Sequence, residues 1–231
     1  MLDVLREEKK YNISLERANY LFGKMRQVMD GDPYNGLNKY MVRSLYFDSI
    51  NDDDFFEKES GNEYRKKIRL RVYDAKANKA KLEMKEKCGV NQRKRSLVIS
   101  KEDALKLIDC DYSVLLGYKE ELAKELYYIM VTEVYRPKCV VQYMRQAFAA
   151  AENNIRITYD SELVSNEGYF NIFDENLCVY PIAEKDEVIL EVKYNNFLLS
   201  YIKDLLECVD KTETSNSKYC RARKYGMLEE G

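Results

Sequence analysis

Charged and apolar residues alternate with a period of two through much of this chain. In "RKKIRLRVYD", Arg65, Lys67, Arg69 and Arg71 fall on one face of an extended segment, and Lys66, Ile68, Leu70 and Val72 on the other. In "KLEMKEK", Glu83, Lys85 and Lys87 oppose Leu82 and Met84; in "VILEVKY", Glu191 and Lys193 oppose Leu190, Val192 and Tyr194. In "IRITYD", Arg156, Thr158 and Asp160 oppose Ile155, Ile157 and Tyr159. "REEKKY" groups Arg6, Glu8 and Lys10, and "VVQYMRQAF" aligns Arg145 with Val141 and Tyr143. Strands are predicted at 6–13, 40–48, 65–74, 80–87, 93–99, 139–148, 154–160 and 187–194.

Elsewhere the apolar period lengthens to that of a helix. Leu15, Ala18, Leu21, Phe22, Met25 and Val28 share a face over 15–29, behind a Ser14 cap. Ser100 and Asp103 form a capping-box pattern that opens a helix near 101–109, and 119–131 and 196–209 also have helical character. The acidic run "NDDDFFEKES" reads as a solvated helix start, since its spacing does not match a calcium loop. With 9 Gly and 3 Pro there is no linker, so residues 1–231 are expected to form a single domain. The class is α+β with a mostly antiparallel sheet. Eight strands suffice for a closed β tunnel or barrel with helices packed outside.

An antiparallel sheet with one solvated face would explain each strand alone. It explains the joint pattern less well, because arginine and other ions cluster at strand centres. In a closed barrel the aliphatic face packs outward on helices and the ionic face lines the interior. Burying an unpaired charge costs several kcal/mol. The interior carboxylates Glu8, Glu83, Asp160 and Glu191 are outnumbered by Arg69, Arg71, Lys85, Arg145, Arg156 and Lys193. Water and a polyanion must supply the balance, and arginine forks suit phosphate oxygens. Carboxylates among them could hold Mg²⁺ or Mn²⁺ through oxygen.

Composition narrows the chemistry. The net charge is only −2 despite 34% charged residues, which disfavours general attraction to nucleic acid. There is no histidine, which removes Ser-His-Asp, Cys-His and histidine-base catalysis. The 6 widely spaced cysteines, without a C-x-x-C pair, read as reduced thiols. No apolar run approaches the ~18 residues of a membrane span, and the N-terminus lacks a signal-peptide core. A soluble cytoplasmic protein is expected.

The chain resembles the polyphosphate-polymerase (VTC) domain, a branch of the triphosphate tunnel metalloenzymes. The matching pieces run in order: "REEKKY", "SLYFDS", "IRLRVY", "LEMKEK", "VVQYMRQAF", "IRITYD", "VILEVKY" and "SNSKY". The resemblance implies a closed eight-stranded tunnel in which Lys10, Arg69, Arg71, Lys85, Arg145 and Arg156 grip phosphates and Glu191 is the main metal ligand. It brings Lys218, helped by Ser217, to the phosphate chain, and places Lys87 and Lys193 on the same face. Glu8 would act on the metal through water or orient a lysine, and Glu83 would hold Lys85 or Arg69. Arg6 stands where tunnel triphosphatases usually carry an acid, which favours the polymerase branch.

The implied activity transfers the γ-phosphate of ATP to growing inorganic polyphosphate, with Mn²⁺ or Mg²⁺. Its partners are nucleoside triphosphate and polyphosphate, not nucleic acid, with room for a membrane-protein partner. Tripolyphosphate or nucleoside-triphosphate hydrolysis in the same tunnel, and a non-catalytic polyphosphate-binding accessory protein, are the alternatives.

Overall fold

The computed structural model describes residues 6–32, 36–89, 91–207, 211–215 and 217–229. The side chains of Arg6 and of 227–229, and Cys208, lie outside the described set. The long strands are β1 (Arg6–Ser14), β2 (Tyr40–Asp48), β3 (Tyr64–Val72), β4 (Lys79–Cys88), β5 (Asn91–Ser100), β6 (Arg136–Ala150), β7 (Ile155–Asn166) and β8 (Glu187–Asn195). Each predicted strand is present. The helices are α1 (Leu15–Met25), α2 (Asp53–Glu59), α3 (Lys101–Ile108), α4 (Glu121–Thr132), α5 (Ser200–Glu207) and α6 (Lys218–Glu229). None of the described helices is long and apolar enough to cross a membrane.

Contacts group the chain into two compact units. The first comprises Met1–Met41, Tyr143–Leu163 and Ala183–Asn216. Its strands pair in the order β1-β8-β7-β6. Tyr11, Ile13, Ile155, Ile157, Tyr159, Val188, Leu190 and Val192 turn one face of these strands into a core. Ala18, Leu21 and Met25 of α1 and Ile202 and Leu206 of α5 cover it. The Ser14 hydroxyl accepts from the Arg17 amide (3.3 Å), the expected cap. Helix α1 ends earlier than its periodicity predicts, and Val28 is left exposed.

The second unit comprises Val42–Gln142, Val164–Ile182 and Ser217–Gly231. Its strands pair in the order β6-β2-β3-β4-β5. Leu45, Phe47, Ile68, Leu70, Val72, Leu82, Met84, Leu97 and Ile99 form one side of its core. Leu107 of α3 and Leu122, Leu126 and Met130 of α4 form the other. The capping box is present: the Ser100 hydroxyl accepts from the Asp103 amide at 3.0 Å.

Two expectations change. The strand path is open, running from β5 to β1 and the short strand Thr212–Glu213. Among the described residues no hydrogen-bonded pairing joins its ends, so hydrogen bonds do not close the sheet. The acidic run 51–60 does begin a helix, but Asp54 is wholly buried rather than solvated. It accepts from the Tyr135 hydroxyl at 3.0 Å and lies 3.8 Å from the Lys66 ammonium, which also pairs with Glu133 at 2.9 Å. Burial raises the Asp54 carboxyl to about 8.

Candidate functional site

In the first unit, strand register assembles one ionic face. Lys10 of β1 lies opposite Glu191 of β8, and Glu8 opposite Lys193. Glu191 is in turn opposite Thr158 of β7, and Lys193 opposite Arg156. The Lys193 ammonium is 2.6 Å from Glu191 Oε1, and Lys10 is 3.0 Å from Glu8 Oε1. Arg145 of β6 forks onto Asp160, with Nε donating to Oδ1 at 2.6 Å and Nη2 to Oδ2 at 2.7 Å. Its Nη2 also lies 3.7 Å from Glu191 Oε2. Burial works against the Arg145 charge, but Asp160, Tyr143 and Glu191 hold its pKa well above the ordinary value. Burial pushes the Lys193 ammonium down, and Glu191 and Glu8 oppose that without cancelling it.

Arg156 is held differently. Its Nη2 donates to Asp32 Oδ2 at 2.5 Å and to the Tyr40 hydroxyl at 3.2 Å. Asp32 is distant in sequence and on none of the matched strand motifs, so nothing in the local pattern marks it as the partner. The deficit of carboxylates expected from the strand motifs is smaller than counted, because Asp32 joins the set.

The second unit carries a second cluster, on the ionic face of β3, β4 and β5. Three consecutive cross-strand rows are Lys67–Lys85–Lys94, Arg69–Glu83–Ser96 and Arg71–Lys81–Val98. Glu83, 2% exposed, accepts from Arg69 Nε at 2.8 Å, lies 3.6 Å from Arg71 Nη1, and pairs with Lys94. Arg69 Nη1 also donates to the Tyr46 hydroxyl at 3.1 Å, and Arg71 Nε to Ser44 Oγ at 3.0 Å. Lys85 and Lys87 are half-buried on this face, and Glu83 holds Arg69.

Helix α6, which the sequence reading leaves as a tail motif, fixes the last candidates. Ser217 precedes it, accepting from the Cys220 amide (3.3 Å) and from the Lys67 ammonium (2.7 Å). Lys218 is its first residue, half-buried. The Tyr219 hydroxyl donates to buried Asp48 at 2.5 Å, and its ring stacks on Tyr46 with centroids 5.1 Å apart. Arg223 ties the helix to Asp52 at 3.0 Å and Glu167 at 2.8 Å. Tyr46 and Tyr219 are thus packing and anchoring residues. Lys67, which the alternation already puts on this face, and Lys94, from the basic stretch 91–96, also belong to it although neither is among the expected site residues. Their parity on the strands was the available signal.

The profile of the VTC domain family matches residues 5–226. The chain belongs to the VTC domain family. The match runs through both units and therefore through both cation clusters. No match was found among curated proteins. Among solved structures, this VTC domain chain is similar to a candidate adenylate cyclase from Bacillus halodurans, with 12% identity and a TM-score of 0.54 over 92% of this chain and 96% of the other. It is also similar to a candidate adenylyl cyclase from Hippeastrum described as having a dominant triphosphatase activity, with 14% identity and a TM-score of 0.55 over 94% of each chain. At these identities the likeness establishes the fold.

Glu83 carries a pH signature. Burial alone would raise its pKa, but Arg69, Arg71 and Lys94 outweigh burial and bring it from the ordinary 4.5 to about 2. A depressed folded pKa contributes stability that is present above about pH 4.5 and is lost as the pH falls toward 2. The shift corresponds to about 3 kcal/mol. Acid titration followed by circular dichroism is therefore expected to show Glu83→Gln less stable than the parent at pH 7, with the difference shrinking below pH 4.

Proposed function

We propose that this VTC domain chain is an ATP-dependent polyphosphate polymerase, moving the γ-phosphate of a nucleoside triphosphate onto the end of a polyphosphate chain. The family match across both cation clusters carries the reading. Residues 1–231 act as one domain, with phosphate held in a tunnel of the kind that family membership implies. Lys10, Arg69, Arg71, Lys85, Arg145, Arg156 and Lys218 bind phosphate oxygens, with Lys87, Lys193 and Ser217 beside them. Glu83 and Glu8 orient the cations they pair with. A cytoplasmic location is part of the same reading.

The acceptor is already an anion at neutral pH. Its terminal oxygen attacks the γ-phosphorus in line as the bond to the β-phosphate oxygen breaks, releasing ADP. No histidine base is required. The protein aligns the two phosphates and offsets charge on the transferring group.

Among the described residues, no three His, Cys, Asp or Glu side chains converge as a metal cage. Glu191 presents a buried carboxylate already shared with Lys193 and Arg145. That donor set fits Mg²⁺ or Mn²⁺ arriving with its phosphates, because such ions are commonly held by one or two carboxylates plus substrate oxygens. Glu191 would hold the ion, which would supply neutralisation of phosphate charge.

Gel analysis after incubation with ATP and Mn²⁺ tests the reading. Long polyphosphate with stoichiometric ADP is expected, and excess EDTA should abolish it while leaving tripolyphosphate binding measurable. Free phosphate alone would make water the acceptor and the protein a hydrolase. Tight binding without turnover under any divalent metal would make it an accessory binder.

A further inference from the structure

The ionic face of β3, β4 and β5 changes character from one end to the other. The row Lys67–Lys85–Lys94 is wholly cationic, the next contains Arg69 and Glu83, and the third ends on apolar Val98. Rows on one face are ~7 Å apart. One step beyond Arg71 lies Tyr73, the first residue past β3. Its ring is 43% exposed, and the Lys81 ammonium sits 5.5 Å from the ring centroid. Val98 is 53% exposed.

These side chains border a cavity of about 190 Å³ lined by Arg71, Tyr73, Lys81 and Val98, with small Ala77 and Ala80 in its wall. A cavity of ~150 Å³ accepts a benzene ring. The space here is open on one side, so a flat aromatic group can lie against its wall, whose exposed surface is mostly apolar although Asp74 and Lys79 also line it. Arg71 belongs to both the cavity wall and the phosphate-binding cluster. A ligand seated on Arg69 and Arg71 by phosphate would reach this cavity with whatever it carries at the other end.

We propose that the cavity is the nucleobase subsite of the nucleotide donor, with the base stacked on Tyr73, capped by the Lys81 stem and Val98, and the phosphates directed toward Arg71 and Arg69. This rests on the reading of the chain as a nucleotide-using enzyme and adds the element that distinguishes a nucleotide from a bare phosphate chain. The Tyr73 hydroxyl interacts with Arg71, and although burial opposes it, Arg71 and Lys81 lower its pKa. The ring is therefore held by the same guanidinium that grips phosphate. Stacking uses the π face that every base has, so the subsite discriminates weakly between bases. ATP and GTP are expected to bind within a few-fold of each other, with pyrimidine nucleotides weaker.

The test compares ATP and inorganic tripolyphosphate by calorimetry in the presence of EDTA, on the full chain. Tyr73→Ala is expected to weaken ATP about tenfold, the loss of one stacked base, and to leave tripolyphosphate affinity unchanged. Tyr73→Phe, which keeps the ring, is expected to retain ATP affinity within about twofold. Equal loss for both ligands, or no loss for either, overturns the subsite while leaving the triphosphate reading intact. Failure of the parent protein to bind tripolyphosphate at all removes both. Tyr73 is exposed enough that its truncation opens no core cavity, and matching melting curves for parent and variant would verify this.

Discussion

Arg71→Ala is expected to slow polyphosphate synthesis about 10²- to 10³-fold, the cost of removing one preorganised electrostatic donor, or about 3–4 kcal/mol in the barrier. The fold should survive the change. Arg71 is one of three cations on Glu83, and Arg69 (2.8 Å) and Lys94 remain to neutralise that carboxylate when it is removed. The buried hydroxyl of Ser44 loses one donor, a smaller loss than that of a charged partner. Single-turnover rates at saturating ATP, read beside melting curves, separate the two effects. A correctly folded Arg71→Ala protein with near-parental rate would remove the second unit's cluster from the chemistry.

The other large effect falls on stability. Asp160 is fully buried, and it takes both ends of the Arg145 fork. Removing one member of a buried pair leaves the other charged and uncompensated, at a cost of about 3–5 kcal/mol. Asp160→Ala is therefore expected to lower the melting temperature by about 10 °C, given ~2–4 °C per kcal/mol at this chain length. Glu191, 3.7 Å from Arg145, is too distant and already too engaged with Lys193 to replace it. Asp160→Asn keeps the shape and an acceptor oxygen, so its loss should be about half as large. If the alanine variant melted within 2 °C of the parent, the fork would have no structural weight. Arg145 would then have to be oriented by Glu191 and Tyr143, which it approaches at 5.2 Å from guanidinium carbon to ring centroid.

The two experiments probe different halves of one pattern. Arg71 and Arg145 are both strand arginines that pair with a buried carboxylate. Yet one shares its carboxylate with two other cations, and the other grips its carboxylate with both arms of the fork. The first can be removed for its chemistry, while the second cannot be separated from its fold.

Strand periodicity made the faces legible. A period of two is a local property: once Ile68, Leu70 and Val72 are known to be buried, Arg69 and Arg71 must point the other way. The same logic placed Glu191 and Lys193, Arg156, and Lys10 with Glu8. The caps at Ser14 and Ser100 were equally local, because a side chain closes on an amide three residues away. The resemblance supplied the expected roles, and the family profile covers residues 5–226.

Pairing across long separations was not legible in this way. Asp32 meets Arg156 across 124 residues, and Tyr219 meets Asp48 across 171. Neither partner is marked by a spacing, since the contact depends on where the intervening chain returns. Helix α6 was hidden for the same reason: it has weak amphipathicity and is held by Tyr219, Arg221 and Arg223 reaching residues far away. The open strand path belongs here too, because hydrogen bonding between the first and last strands is a property of register summed over the whole sheet. The sequence by itself determined which face of each strand is ionic, since alternation is fixed by backbone geometry. Only the tertiary structure decided which carboxylate answers which cation, because that depends on distances between segments the chain brings together after folding.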